Sequence, residues 1–146
     1  GKVVSIRELA TAEPVGAQAL QISNILSIFS VHVQRVPADA RVSAIRYRAG
    51  KYLAAFRAGA SEQNEHAVTH LTSDKGKFAV RQIAGAVARR VICHMEPNQQ
   101  VRRGDRLGYI RFGSRVELVV PVDFRVAVSV GQRVRGGVSV MGYFAP

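Results

Sequence analysis

Gln99-Gln100-Val101-Arg102-Arg103-Gly104-Asp105-Arg106-Leu107 leads through Gly108, Tyr109 and Ile110 into Arg111-Phe112-Gly113-Ser114-Arg115, and then into Val116-Glu117-Leu118-Val119-Val120. This stretch carries strand, glycine turn and strand in succession. Gly104 can supply the positive φ of a tight turn, and the β-branched run after Ser114 has the partial alternation of a half-buried strand. The frame Gln-x-Val-x-x-Gly-x-x-apolar returns at Gln132-Arg133-Val134-Arg135-Gly136-Gly137-Val138-Ser139-Val140. A second echo joins Gly1-Lys2-Val3-Val4-Ser5-Ile6 to Ala40-Arg41-Val42-Ser43-Ala44-Ile45. Two copies are too few for a solenoid; paired strand–turn–strand units suit a pseudo-symmetric, flattened barrel.

Outward from that stretch the same signals repeat. Val3–Ile6, Val42–Ile45, Phe78–Val80, Val91–Cys93 and Arg125–Val128 are short β-branched runs punctuated by Gly, Pro, Asn or Asp. Gln21 to Gln34 reads as one or two buried strands, and Ser61–Glu65 has room for a helical turn or two. The expectation is a mainly β, barrel-sandwich-like antiparallel domain with pseudo-symmetric hairpins and little helix, one domain over residues 1–146.

Composition bounds the function. Hydrophobic residues at 47% and charged residues at 21% are ordinary globular values, which excludes disordered and fibrous classes. Lys and Arg number 21 against 10 Asp and Glu, a formal charge of +11 that calls for an anionic partner, nucleic acid or an acidic membrane surface. Cys93 is the single cysteine, so neither an intramolecular disulfide nor a Cys-rich zinc site is available. No apolar run reaches the roughly 18–20 residues of a spanning helix, and the front of the sequence lacks a signal-peptide layout, so an integral membrane protein is not expected.

Several residues could carry chemistry, each with an ordinary structural reading beside it. Gly113-Ser114 suits a tight turn or bulge. Alternatively, a Gly carbonyl open to close approach, with a Ser hydroxyl next to it, can undergo attack by that hydroxyl if a base takes the proton. His32, between Val31 and Val33, reads as a core or edge residue. His66 and His70, beside Glu65, have i,i+4 spacing but no third ligand, and are expected on a solvated face. His94 beside Cys93 reads as strand packing. Arg89-Arg90, Arg102-Arg103, Arg106 and Arg111 could lie on solvated strand faces, hold a substrate's phosphate and carboxylate, or rest on anionic lipid.

Seven words of the sequence, in order, resemble the phosphatidylserine decarboxylase family, especially its compact prokaryotic members. They are Gly1–Val4, Ile28-Phe29-Ser30-Val31-His32-Val33-Gln34-Arg35-Val36-Pro37, Gly50-Lys51-Tyr52-Leu53, Ala60–Glu65, Gln82-Ile83-Ala84-Gly85-Ala86-Val87-Ala88-Arg89-Arg90, Gly104–Arg115 and Gly131–Val134. The resemblance implies that Ser114 attacks the Gly113 carbonyl and cleaves the chain, leaving a β chain of residues 1–113 and an α chain of 114–146 headed by a pyruvoyl group derived from Ser114. That group would form a Schiff base with the amine of phosphatidylserine and accept the electrons released with carbon dioxide, yielding phosphatidylethanolamine. His32 is assigned proton transfer, in self-cleavage or in decarboxylation. The implied partners are an anionic phospholipid substrate, a membrane surface and the two processed chains for each other; nucleic acid is not expected, and a homo-oligomer is left open. The implied place is the cytoplasmic side of the cell membrane, peripherally bound.

Two departures stand out. Ser30 occupies a position where relatives carry Asp or Asn, so it could hydrogen-bond His32 but not supply a carboxylate. The Asp that precedes the opening Gly-Lys-Val-Val word in the family, and the amphipathic docking segment ahead of it, are not in the sequence, which is therefore read as truncated at its front. Without that Asp, slow or absent self-cleavage is expected. Asp39 copies the word superficially and is read as a turn residue. The competing readings are a non-enzymatic biotinyl- or lipoyl-like module, disfavoured because no Lys sits at a hairpin tip, and a nucleic-acid-binding barrel, disfavoured because the aromatics fall mostly in core-like words.

Overall fold

The computed structural model describes residues 1–27, 33–57, 59–86, 90–110 and 113–146. The strands in chain order are β1 (Lys2–Ala12), β2 (Ala17–Leu26), β3 (Val33–Arg35), β4 (Ala40–Arg48), β5 (His66–Ser73), β6 (Gly76–Ile83), β7 (Val91–Cys93), β8 (Gln100–Val101), β9 (Arg106–Ile110), β10 (Ser114–Pro121), β11 (Arg125–Val126) and β12 (Gly142–Tyr143). A single helical turn, α1 (Ala60–Gln63), lies between β4 and β5. Seven strands form one open sheet in the order β1-β2-β10-β6-β5-β4-β8, with a small sheet β3-β9-β7 and the pair β11-β12 beside it. The ladders are antiparallel. The expected sandwich-like β architecture is therefore present, as an open sandwich with β1 and β8 at the edges of its large sheet.

Pseudo-symmetry is visible in the strand order: β1-β2-β10 on one side mirrors β4-β5-β6 on the other, and the paired words Gly1–Ile6 and Ala40–Ile45 open β1 and β4. The glycine frame is only half symmetric. Gly104 and Gly137 both adopt positive φ, at 93° and 77°. Only the first frame continues into strands on both sides; the second makes an isolated bridge, Lys2 to Arg133, and then a turn.

The main core lies on one face of the large sheet, where Val3, Ile22, Val42, Leu71, Phe78, Leu118 and Val120 meet Leu107 and Met95. Burying an aliphatic or aromatic side chain of this size contributes about 1.5–3 kcal/mol. Ala67, Ala84, Val91 and Ile110 extend the contact to the small sheet. Gln82 ties the layers together: its Nε2 donates to Gln34 Oε1 at 2.9 Å and to the Ile92 carbonyl at 3.0 Å. Gly108 leaves room for that amide, since a β-carbon there would collide with it and with the Ile92 carbonyl.

Four local expectations are corrected. His66 and His70 lie on β5 and both are buried rather than solvated. The residues read as Arg125–Val128 pair only over Arg125–Val126. His94 is exposed just past β7 and does not pack within a strand. The aromatics divide: Phe78 and Phe124 are buried and meet Phe144 at tilted and edge-to-face angles, while Tyr47, Tyr52, Phe56 and Tyr143 are exposed. Asp39 is a turn residue as expected, accepting the Arg103 amide at 2.8 Å.

Candidate active site

Strand β10 begins at Ser114 and runs through the middle of the large sheet, between β2 and β6. Ser114 is fully buried and pairs with Leu26 at the end of β2. Gly113, just before it, has φ of 74°, a left-handed conformation that would strain any side chain, and its amide donates to the Leu26 carbonyl at 2.6 Å. The peptide joining them is thus held by a hydrogen bond on one side and by the first rung of a central strand on the other.

Gly85 closes the opposite side. A β-carbon built on Gly85 would lie within the Gly113 carbonyl group and in contact with Ala55. The absent side chain is therefore what lets the backbone after β6 seat the Gly113 carbonyl. Asn64, fully buried, fixes this backbone and the loop beside it. Its Nδ2 donates to the Ala84 carbonyl at 2.7 Å and to the Leu53 carbonyl at 2.8 Å, while its Oδ1 accepts the Leu53 amide at 2.9 Å.

On the other face of β10, Glu117 is fully buried and surrounded by donors. Oε1 accepts Gln21 Nε2 at 3.0 Å and Arg81 Nη1 at 2.9 Å; Oε2 accepts Ser23 Oγ at 2.9 Å, Ser61 Oγ at 2.8 Å and Arg115 Nε at 2.9 Å. Arg115 also reaches the Ala55 carbonyl at 3.4 Å, and Arg81 the Ser61 carbonyl at 2.8 Å. A carboxylate has about four lone-pair positions, so five donors leave it no free site for a proton from Ser114, which points to the opposite face. Glu117 is a clamp, with its charge balanced by two guanidiniums.

Of the residues singled out from sequence, Gly113 and Ser114 meet at this junction. His32 and Ser30 lie outside the described residues, as do Arg89 and Arg111. Arg90, Arg102, Arg103 and Arg106 are exposed. His66 Nδ1 is bonded to the Asn64 carbonyl at 2.7 Å, and burial, then Arg46, hold the His70 imidazole below its ordinary range against a smaller opposing effect of Glu13. Among the described residues no group of three or more His, Cys, Asp or Glu could hold a metal. Gly85, Asn64 and Glu117 were not singled out. Glu117 left a signal, as a lone acid inside an apolar strand three residues after Ser114; Gly85 left a weaker one, a Gly between two Ala.

The front of the chain reaches the same level. Lys2 pairs with Ile25, and the next residue of β2, Leu26, pairs with Ser114. Gly1 is thus two strand spacings, about 10 Å, across the sheet from the Gly113–Ser114 junction.

The sequence profile of a family described as phosphatidylserine decarboxylase matches residues 1–142. The chain is 41% identical over 143 residues to a protein of Desulfotalea psychrophila, covering 97% of this chain and 67% of the relative. It is 41% identical over 145 residues to one of Syntrophus aciditrophicus, covering 99% and 68%, and 48% identical over 130 residues to one of Saccharopolyspora erythraea, covering 88% and 55%. All three relatives are named phosphatidylserine decarboxylase proenzyme.

Proposed function

The chain belongs to the phosphatidylserine decarboxylase family, and from that premise we propose that it removes carbon dioxide from phosphatidylserine using a pyruvoyl group made from its own Ser114. The observation that carries this reading is the Gly113–Ser114 junction. A glycine of positive φ presents its carbonyl against Gly85, and a buried serine hydroxyl adjoins it.

The residues fit the maturation chemistry. Ser114 Oγ adds to the Gly113 carbonyl carbon as a base takes its proton, and the amide nitrogen leaves protonated, so the peptide becomes an ester. Loss of the Ser114 Cα proton then expels the Gly113 carboxylate and leaves dehydroalanine on the shorter chain. Tautomerisation and hydrolysis release ammonia. Gly85 holds the carbonyl for this attack, and His32 is the proposed proton carrier, an assignment that rests on its Val-His-Val word. An acid placed immediately before Gly1, as in the family's opening word, would enter beside the end of β2 at the level of Ser114.

A pyruvoyl group at the head of β10 would supply a ketone that takes up the substrate amine and draws off the electron pair left as carbon dioxide departs. The chain's own contribution is to keep that position dry and fixed. After a split, the two pieces would stay together. Strand β10 belongs to the shorter piece but is laddered on both sides to the longer one, and four of the five donors to Glu117 come from the longer piece.

The test is release of carbon dioxide from phosphatidylserine by the chain as it stands and with an Asp added before Gly1, each beside its Ser114→Ala variant. Activity dependent on Ser114 is expected, greater with the Asp. Activity retained in Ser114→Ala would overturn the pyruvoyl mechanism.

A further inference from the structure

We propose that the turn Ala54–Arg57 docks the chain on an anionic bilayer, with Phe56 entering the lipid interface beside the Gly113–Ser114 junction. The inference rests on the substrate reading above and names the surface that serves it.

Phe56 is 78% exposed, the most exposed large apolar side chain among the described residues. Tyr47 and Tyr52 are exposed too, and hydrogen bonds tie β4 and the segment ahead of the turn to Asn64 and Glu65. The Tyr47 hydroxyl donates to the Glu65 carboxylate, the Glu65 amide donates to the Lys51 carbonyl at 3.1 Å, and Asn64 grips Leu53 through both amide and carbonyl. Aromatic rings with a polar tip or a cationic neighbour are the side chains that settle at a membrane–water boundary.

The charge matches such a surface. Residues 41–60 contain Arg41, Arg46, Arg48, Lys51 and Arg57 and no acid. Lys51 and Arg57, next to the turn in the chain, are exposed, as are Arg46 and Arg48 on β4. Of the acids that follow, Glu65 is buried under Tyr47, and exposed Glu62 faces Arg7 at 4.0 Å. Basic side chains near an exposed aromatic favour anionic head groups over neutral ones.

Position distinguishes this patch from other exposed apolar residues, such as Val130, Val138, Val140 and Tyr143. Ala55 is buried, its carbonyl accepts Arg115, and it borders the space that a side chain on Gly85 would fill. One residue therefore separates the reacting junction from a ring in solvent. A substrate whose acyl chains stay in the bilayer offers its head group only at interface depth, so the junction must be brought there. Stacking on nucleic-acid bases uses the same residue types, but gives no reason for them to border Ser114.

The test is flotation with vesicles of phosphatidylcholine alone and of phosphatidylcholine containing phosphatidylglycerol. The chain is expected to bind the anionic vesicles, with binding weakened by salt. Phe56→Ala should bind about tenfold more weakly, the order expected for removing one ring from an apolar environment, with an unchanged melting temperature. Arg57→Glu should also weaken binding, and Val138→Ala should not. Wild-type binding by Phe56→Ala, loss of binding in Val138→Ala, or single-stranded DNA bound in preference to vesicles would each overturn the proposal. Carbon dioxide release from monomeric short-chain phosphatidylserine by the chain carrying an Asp before Gly1 reads the decarboxylase assignment separately. A chain inactive there that still binds vesicles through Phe56 keeps the docking surface and loses the assignment.

Discussion

On one face of β10 lie Ser114, Val116, Leu118 and Val120; on the other lie Arg115, Glu117 and Val119. The first face is turned to the apolar core and carries a single hydroxyl at its head. The second gathers a carboxylate, two guanidiniums, two serines and a glutamine into one buried network. The period of two in a strand separates these tasks by a single residue step. Chemistry can be placed on the side where a carbonyl is approached closely, while the other side anchors the strand to β2, β6 and α1. Under the proposed scission at its first residue, that second face would hold the strand in place.

Substitutions on the two faces should fail in different ways. Ser114→Ala is the largest effect on the first: self-cleavage should vanish entirely, as read by intact mass, while stability falls by no more than the about 1 kcal/mol of one buried hydrogen bond. On the second face, Glu117→Leu leaves Arg81 and Arg115 without their partner. Breaking a buried ion pair in this way costs about 3–5 kcal/mol, to be read by chemical denaturation in the Ser114→Ala background, where no cleavage intervenes. A variant as stable as its parent would show that the network does not anchor β10.

Gly85→Ala tests the first face from outside the strand. Its methyl would displace the Gly113 carbonyl, and misplacement by an ångström slows a positioned reaction on the order of 100-fold. The time course of cleavage measures this, and hydroxylamine, which traps an ester, reads whether the acyl shift itself is lost. Cleavage at the parental rate would mean that Gly85 does not seat the carbonyl.

The smallest effect is remote from both faces. His70 is held below its ordinary value of about 6.5, so the unfolded chain binds the extra proton first as pH falls. Its contribution is present above that value and is lost as pH drops through the folded value. Stability should therefore decline on acidification below about pH 6.5, and the decline should be shallower in His70→Gln. An identical slope in the two proteins would remove His70 as its source.

Much of this was legible in the sequence for a local reason. Strands such as Val91–Cys93 and Val116–Val120 announce themselves by β-branched runs, and Gly113-Ser114 by its place between two of them. Strand β5 did not show in the sequence: His66 and His70 beside Glu65 read as a solvated face, whereas burial on both sides of β5 removes the alternation that marks a half-exposed strand. The clamp was out of reach for another reason. Glu117 meets Gln21 across 96 residues of sequence and Arg81 across 36, contacts that exist only once the sheet is assembled. Gly85 likewise has meaning only against Gly113. The exposure of Phe56 was hidden because a lone aromatic between Ala55 and Arg57 reads the same in a core as on a surface.

The most direct measurement is the intact mass of the chain carrying an Asp before Gly1. The expected result is two species split between Gly113 and Ser114, the smaller covering residues 114–146 and blocked to N-terminal sequencing by a carbonyl in place of its amine. An intact chain that still releases carbon dioxide from phosphatidylserine would contradict it.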